Sequence, residues 1–279
     1  MNKLVLSLFP GIDVLGRGFE EEGWTVVRGP DLLWGGDVRR FHAQEFFFAG
    51  VIAGPPCQDF SSARRAVPTG RGDELLAELV RIIGEAAPHW WLMENVPRCH
   101  DVRIEGYSHQ RIDVAASDFG LPQRRLRHFQ FGHGKGFALC LDRPKQRRVT
   151  QPAAMASEGE RSVTRRGWSE FCALQGLPPI ELPGLTLSAR YLAVGNAVAL
   201  PVARAFARAI YRLETWFDGD KVCACGCARP VTGRRVLATG ACRQRELRRR
   251  RAGHPTSASV LRGVTGNERE VMNAEGQAN

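Results

Sequence analysis

The most chemically loaded feature of this 279-residue chain is a cysteine held behind two prolines: Gly54-Pro55-Pro56-Cys57-Gln58-Asp59-Phe60-Ser61. Consecutive prolines fix the backbone in an extended or turn geometry, so the thiol that follows is presented rigidly. Arginines crowd the loop beyond it, at Arg64, Arg65 and Arg71, and positive charge favours the thiolate that makes cysteine a nucleophile. The same residues also fit a buried, inert thiol. A second candidate stands where Trp90-Trp91-Leu92-Met93 runs into Glu94-Asn95-Val96-Pro97. A carboxyl at the end of an apolar run is partly desolvated, which raises its pKa and makes it a proton donor near neutrality, unless it is an ordinary solvated loop carboxylate. A third is Phe9-Pro10-Gly11-Ile12-Asp13, where glycine lets backbone pass close to a ligand; by itself this is equally an ordinary strand-to-helix turn.

Such groups act only if the fold brings them together. Short apolar runs at Leu4–Phe9, Thr25–Arg28, Gly50–Ala53, Trp90–Met93, Asp113–Ala116 and His128–Phe131 predict six strands. Leu75, Leu79, Ile82 and Ile83 recur at helical spacing between the third and fourth. The alternation implies βαβ units and an α/β fold with a mainly parallel sheet, whose ligands sit beyond the carboxyl ends of the strands. All three candidates directly follow a predicted strand. Residues 132–161 lose periodicity and read as loop-rich; helical signals return over Trp168–Gln175 and Arg190–Leu213, with Pro201 marking a break or a start near 200.

Composition narrows the partners. The net charge is +10, yet residues 1–220 carry 27 basic against 25 acidic side chains, whereas 221–262 carry 11 against one. That local excess is a footprint for a polyanion, and without an apolar face it fits nucleic acid better than a membrane surface. No stretch is read as approaching the roughly 20 apolar residues of a spanning helix. Leu4–Phe9 leads into Pro10-Gly11 with no small-residue cleavage site, so it reads as a strand and not a secretory signal. Scattered cysteines at 57, 99, 140 and 172 suit a reducing cytoplasm.

The other four, Cys223, Cys225, Cys227 and Cys242, fall within 20 residues, a count that fits tetrahedral structural zinc, with His254 able to replace one ligand. Their spacing departs from paired CxxC knuckles, so reduced, unliganded thiols are the alternative. Arg243, Arg245, Arg248 and Arg249 follow as a phosphate-binding edge.

In order over about 1–213, these pieces resemble the DNA cytosine-5 methyltransferase family. Phe9-Pro10-Gly11 is similar to its cofactor motif, Pro55-Pro56-Cys57-Gln58 to its catalytic loop and Glu94-Asn95-Val96 to its carboxylate motif. Gln123-Arg124-Arg125-Leu126-Arg127 is similar to its Gln-Arg-x-Arg motif, Val163-Thr164-Arg165-Arg166 with Leu174-Gln175-Gly176 to its penultimate motif, and Gly195-Asn196-Ala197-Val198 with Pro201 to its last.

The resemblance implies a Rossmann-like sheet with helices on both faces, S-adenosylmethionine as cofactor and double-stranded DNA as substrate. Cys57, seated by Pro56, would add to carbon 6 of a flipped-out cytosine; Glu94 would hold N3 and the exocyclic amine; Arg127 would meet O2, with Arg125 supporting the loop. Phe9, Pro10, Gly11, Ile12, Asp31, Asp37, Pro55, Asn196 and Val198 would hold the cofactor. Gln58, Ser61, Arg64, Arg65, Arg71 and Arg166 would join the C-terminal arginines on DNA. Alternatives are the same chemistry on RNA, or a non-catalytic DNA-binding protein on this scaffold.

The implied organisation is a catalytic and cofactor domain at 1–132, a small target-recognition region at 133–185, a return helix at 186–217, a Cys/Arg-rich zinc module at 218–252 and a disordered tail at 253–279. A monomer in the cytoplasm, with a cognate restriction nuclease as a possible companion, is expected. Two departures stand out. Asp13 replaces a usual glycine, so its turn is strained or differently built; Gly167 replaces the acidic residue after the motif arginine. The recognition region is also very short.

Overall fold

The computed structural model describes residues 2–61, 67–144, 148–160, 163–215 and 239–251. Contacts divide the chain into two compact units, Met1–Tyr211 and Arg212–Asn279.

The first unit is built on a six-stranded sheet: β1 (Leu4–Leu8), β2 (Thr25–Arg28), β3 (Gly50–Ala53), β4 (Trp90–Asn95), β5 (Gln110–Ala115) and β6 (Leu126–His133), in the spatial order β2-β1-β3-β4-β6-β5. The first four pair in parallel, and β6 pairs antiparallel to both β4 and β5. The mainly parallel α/β expectation is met, and every predicted strand is present. β4, β5 and β6 differ from their predicted bounds by up to three residues at an end, because polar ends such as Glu94-Asn95 and Gln110-Arg111 continue the ladders without adding to the apolar pattern.

β3 and β4 are buried along their whole length, as strands covered on both faces must be. Helix α2 (Arg71–Ala86) packs Leu75, Leu76, Leu79, Ile82 and Ile83 with Val51, Trp91 and Met93 of the sheet. Helix α1 (Val14–Glu20) has Gly18 where a Cβ would come within 2.4 Å of Ala203, so the absent side chain lets α1 meet helix α5 (Leu200–Thr215) closely. A second core joins α3 (Trp168–Leu174), α4 (Leu187–Asn196) and Val14 through Phe171, Cys172, Tyr191 and Val194.

The stretch Leu187–Thr215 is long and apolar enough by composition to count as a spanning candidate, contrary to the sequence expectation. It is two helices with a break at 197–199, and 61% of its apolar window is buried in the protein. The break just before Pro201 is the one predicted.

In the second unit, helix α6 (Gly240–Arg251) carries Arg243 and Arg248 exposed. Cys242 is buried and Thr239 Oγ1 accepts from its backbone N–H at 3.2 Å. Cys223, Cys225 and Cys227 lie outside the described residues, as do Arg64 and Arg65; the side chains of Arg245 and Arg249 also go undescribed. Among the described residues no cluster of three His, Cys, Asp or Glu is arranged to hold a metal.

Candidate active site

A cavity of about 640 Å³ opens at the carboxyl ends of β1, β3 and β4. Parallel register aligns the strand ends, Leu8 with Ala53 and Ala53 with Met93, so the three following loops converge on one edge. Phe9, Pro10, Gly11 and Ile12 supply one wall, Pro55, Pro56, Cys57 and Gln58 another, and Glu94 with Val96 the third.

The first wall rests on unusual backbone. Phe9, Gly11 and Asp13 all have positive φ, at 53°, 55° and 51°. Two non-glycine residues in the left-handed region store strain, which the surroundings must hold in place. Asp13 is fixed by four partners: its carboxylate accepts from Ser7 Oγ at 2.8 Å and Gly16 N at 3.0 Å, pairs with Arg28 Nε at 2.9 Å, and its backbone N–H donates to Pro10 O at 2.7 Å. The turn thus tolerates aspartate by making it the N-cap of α1. Gly16 is required there, since a Cβ would lie 2.2 Å from the Asp13 carboxylate. Asp31 braces the same turn, accepting from Gly11 N and Leu33 N at 2.8 Å each.

Glu94 and Arg127 form the catalytic-looking pair. Arg127 Nε stands 3.1 Å from Glu94 Oε1, which is buried and has no aligned hydrogen bond. Burial raises the Glu94 carboxyl above its ordinary pKa, against the smaller opposing effect of Arg127 and Arg125. The proton-donor expectation therefore has a physical basis. The Cys57 thiol shifts in the same direction. Burial, reinforced by Glu94, raises the Cys57 thiol, and the pull of Arg127 and Arg125 is the lesser influence. Both of these arginines come from the β6 side of the site, far from Cys57 in sequence.

Arg125 is buried and turned inward, away from the cavity. It donates to Ala154 O at 3.0 Å, Gly195 O at 2.7 Å and Ala197 O at 3.1 Å, and desolvation lowers its pKa to about 9. Gln175 adds two donations, to Val194 O and Ala197 O at 2.9 Å, and Gln123 binds Ala154 N and the carbonyl of Leu174. These buried groups clamp the segment that carries Asn196 and Val198 to the cavity rim.

Other expected site residues lie elsewhere or make other contacts. Asp37 does not line the cavity; it accepts from Arg39 Nη2 at 2.7 Å, and Arg81 of α2 ties down the same turn by donating to Val38 O and Phe41 O. Arg39 holds the Asp37 carboxyl at about 2. Arg166 is committed internally, to Glu158 and to the Pro152 and Ala153 carbonyls, so Glu158 replaces the acidic neighbour that Gly167 lacks. Ser61 lies outside the lining, whereas Arg71 joins it at the start of α2. Residues missed from sequence are Leu32 and Leu33, and Ala189, Leu192 and Ala193 of α4. With Asn196 the last three make a helical stripe, whose spacing reads as core packing until the cavity is seen.

Residues 34–165 match the family model for C-5 cytosine-specific DNA methylase. Type II methyltransferase M.HgiDI of Herpetosiphon aurantiacus is 38% identical over 182 residues, covering 52% of this chain and 57% of that protein. Type II methyltransferase M.NgoPII of Neisseria gonorrhoeae is 28% identical, covering 50% of this chain and 51% of that one. The chain thus spans about half the length of the curated relatives it matches. Among solved structures, Entamoeba histolytica methyltransferase EhMeth superposes with a TM-score of 0.57 at 12% identity, covering 76% of this chain and 98% of that one. S. pombe Dnmt2 methyltransferase does so at 0.53 and 12%, covering 76% and 99%; these two likenesses concern the fold. By the match over residues 34–165 and these relatives, the chain is similar to the C-5 cytosine-specific DNA methylase family.

Proposed function

We propose that this chain transfers a methyl group from S-adenosylmethionine to carbon 5 of cytosine in double-stranded DNA, through a covalent bond from Cys57 to a flipped-out base. The observation that carries the reading is that Cys57, Glu94 and Arg127 share the wall of one cavity with the strained turn at Phe9–Asp13.

The residues fit the methyl donor. Apolar Leu32, Leu33, Pro10 and Val198 suit a flat heterocycle, and the Asp31 carboxylate, beside Gly11 N, offers oxygen to hydroxyl groups. Asn196 borders the same space. When bound, the donor supplies an electrophilic methyl on sulfonium sulfur. The protein must make carbon 5 able to attack it. Cys57 adds to carbon 6, and its electron pair passes into the ring to give an enamine-like carbon 5. Glu94, its carboxyl raised by burial, donates to N3 in its protonated form as charge builds there, and Arg127 meets O2. After carbon 5 has taken the methyl, loss of its proton to water expels the Cys57 sulfur and restores the ring. Burial and Glu94 raise the Cys57 thiol, and Arg127 and Arg125 are the groups that favour its thiolate.

Flipping costs a few kcal/mol, repaid by backbone contacts. Gln58 and Arg71 at the cavity mouth, the loop arginines Arg64 and Arg65, and Arg243, Arg245, Arg248 and Arg249 are the proposed DNA contacts. Zinc at Cys223, Cys225, Cys227 and Cys242 remains a proposal from their number and closeness, tested by metal-to-protein stoichiometry. The decisive assay is incubation with labelled S-adenosylmethionine and duplex DNA followed by mapping of methylated cytosines, with Cys57→Ala alongside. Absence of label in DNA with the intact chain overturns the reading.

A further inference from the structure

Asp59 sits two residues after Cys57, and its carboxylate reaches across to the far end of the loop. Oδ1 accepts from Thr69 N at 3.1 Å, Oδ2 from Thr69 Oγ1 at 3.0 Å, and Oδ2 also from Gly72 N at 2.9 Å. Gly72 lies in the first turn of α2, whose N-cap is Gly70 and which has no side-chain cap of its own. The free N–H groups and positive end of a helix welcome a carboxylate. Asp59 provides it from outside the helix. The fit is close: a Cβ on Gly72 would fall 3.0 Å from Asp59 Cβ and 2.9 Å from the Phe60 ring. On the other side, Phe60 N donates to Cys57 O at 3.0 Å, closing a turn that contains both Cys57 and Asp59.

The geometry points to Asp59 as a positioning residue: it pins the Cys57 turn to the N-terminus of α2, so the nucleophile's location is set by the buried core helix and not by the loop itself. Asp59, Thr69 and Gly72 of this tie all line the cavity with Cys57, so the tie borders the site it steadies. α2 in turn is anchored by Leu75, Leu76 and Leu79 in the core. The inference rests on the methyltransferase reading for its consequence, since the Cys57 sulfur must approach carbon 6 over the face of the ring.

The test compares the full chain with Asp59→Ala, Asp59→Asn and Gly72→Ala. Single-turnover adduct formation is followed on fluorocytosine duplex with S-adenosylmethionine, together with donor affinity, thermal unfolding and site-resolved alkylation of Cys57 against pH. Misplacing a reacting atom by an ångström costs up to about 100-fold, so Asp59→Ala and Gly72→Ala are expected to slow adduct formation about 10- to 100-fold with donor affinity unchanged. Asp59→Asn, which keeps an acceptor oxygen, is expected to recover most of the rate. Cys57 alkylation is expected to quicken in Asp59→Ala as the loosened turn admits water. Wild-type adduct rates and an unchanged alkylation profile in Asp59→Ala, with only a lower unfolding temperature, would overturn the inference. Should Asp59→Ala not fold, Gly72→Ala and Asp59→Asn decide by the same two readouts. No adduct from the unaltered chain counts against the methyltransferase reading alone, and the alkylation profiles then still decide the role of Asp59.

Discussion

Glu94 and Arg127 are diagonal neighbours on one face of the antiparallel β4–β6 pair: Glu94 stands opposite Phe129, two residues along β6 from Arg127, and the two side chains meet at 3.1 Å. Such diagonals lie within reach of long side chains. The acid that would donate to a base and the cation that would hold its oxygen are thus set at fixed separation by the ladder.

Removing that donor should separate binding from chemistry. Glu94→Gln is expected to bind S-adenosylmethionine as before while slowing methyl transfer by about 10² to 10⁴, the usual range for a positioned acid. Cys57→Ala should abolish transfer and the fluorocytosine adduct yet retain DNA binding. Filter binding beside a single-turnover assay reads both; parallel losses of affinity and rate would contradict the assignment.

The raised thiol makes a pH prediction. Alkylation of Cys57 in the free protein should rise with pH around a midpoint above the ~8.5 of ordinary cysteine. Glu94→Gln removes a nearby negative charge and should move that midpoint down, while Arg127→Met removes a positive one and should move it up. Peptide mass spectrometry after timed iodoacetamide exposure distinguishes Cys57 from the buried Cys99, whose thiol burial pushes up to about 12.

His128 predicts how stability falls in acid. It is fully buried, its Nε2 lies 2.9 Å from the Gln130 amide nitrogen, and desolvation lowers its pKa to about 4. In the unfolded chain it takes up a proton near 6.5, so the unfolded state binds more protons between those values and stability rises with pH. From pH 4 to 6.5 this amounts to about 3 kcal/mol. Replacing it with glutamine should flatten the pH dependence of thermal unfolding in that window; an unchanged slope would remove His128 as its source.

The clamp around Asn196 predicts a remote effect on the cofactor. Gln175→Leu keeps bulk but drops both donations, leaving Ala197 O to Arg125 and Val194 O to the Ala197 N–H, so the rim is held by fewer bonds. Donor binding by calorimetry should weaken, along with a lower unfolding temperature. Equal donor affinity would show that the rim is held without Gln175.

Replacing Arg243, Arg248 and Arg249 by alanine should weaken duplex binding at low salt and reduce the slope of log affinity against log salt by roughly 0.9 for each phosphate no longer neutralised. An unchanged slope would exclude this helix from the DNA interface.

The succession of strands along the chain, the placing of each candidate at or just beyond the end of a strand and the helix break near Pro201 were all legible in the sequence, because they depend on local periodicity and on what proline forbids. Asp13 could be flagged but not explained: its carboxylate is satisfied by Ser7, Gly16 and Arg28, which only the folded turn assembles. Nothing local reveals that β6 runs antiparallel, yet that reversal carries the start of the strand, and with it Arg127, to the edge where Glu94 emerges. The same holds for Arg125, one pleat away and facing inward to tie carbonyls from 154 to 197, and for Asp37, drawn off by Arg39. Residue types determined which chemistry was available. Tertiary structure decided which groups share one cavity, and burial, which is a property of the whole fold, decided that the Cys57 thiol is raised.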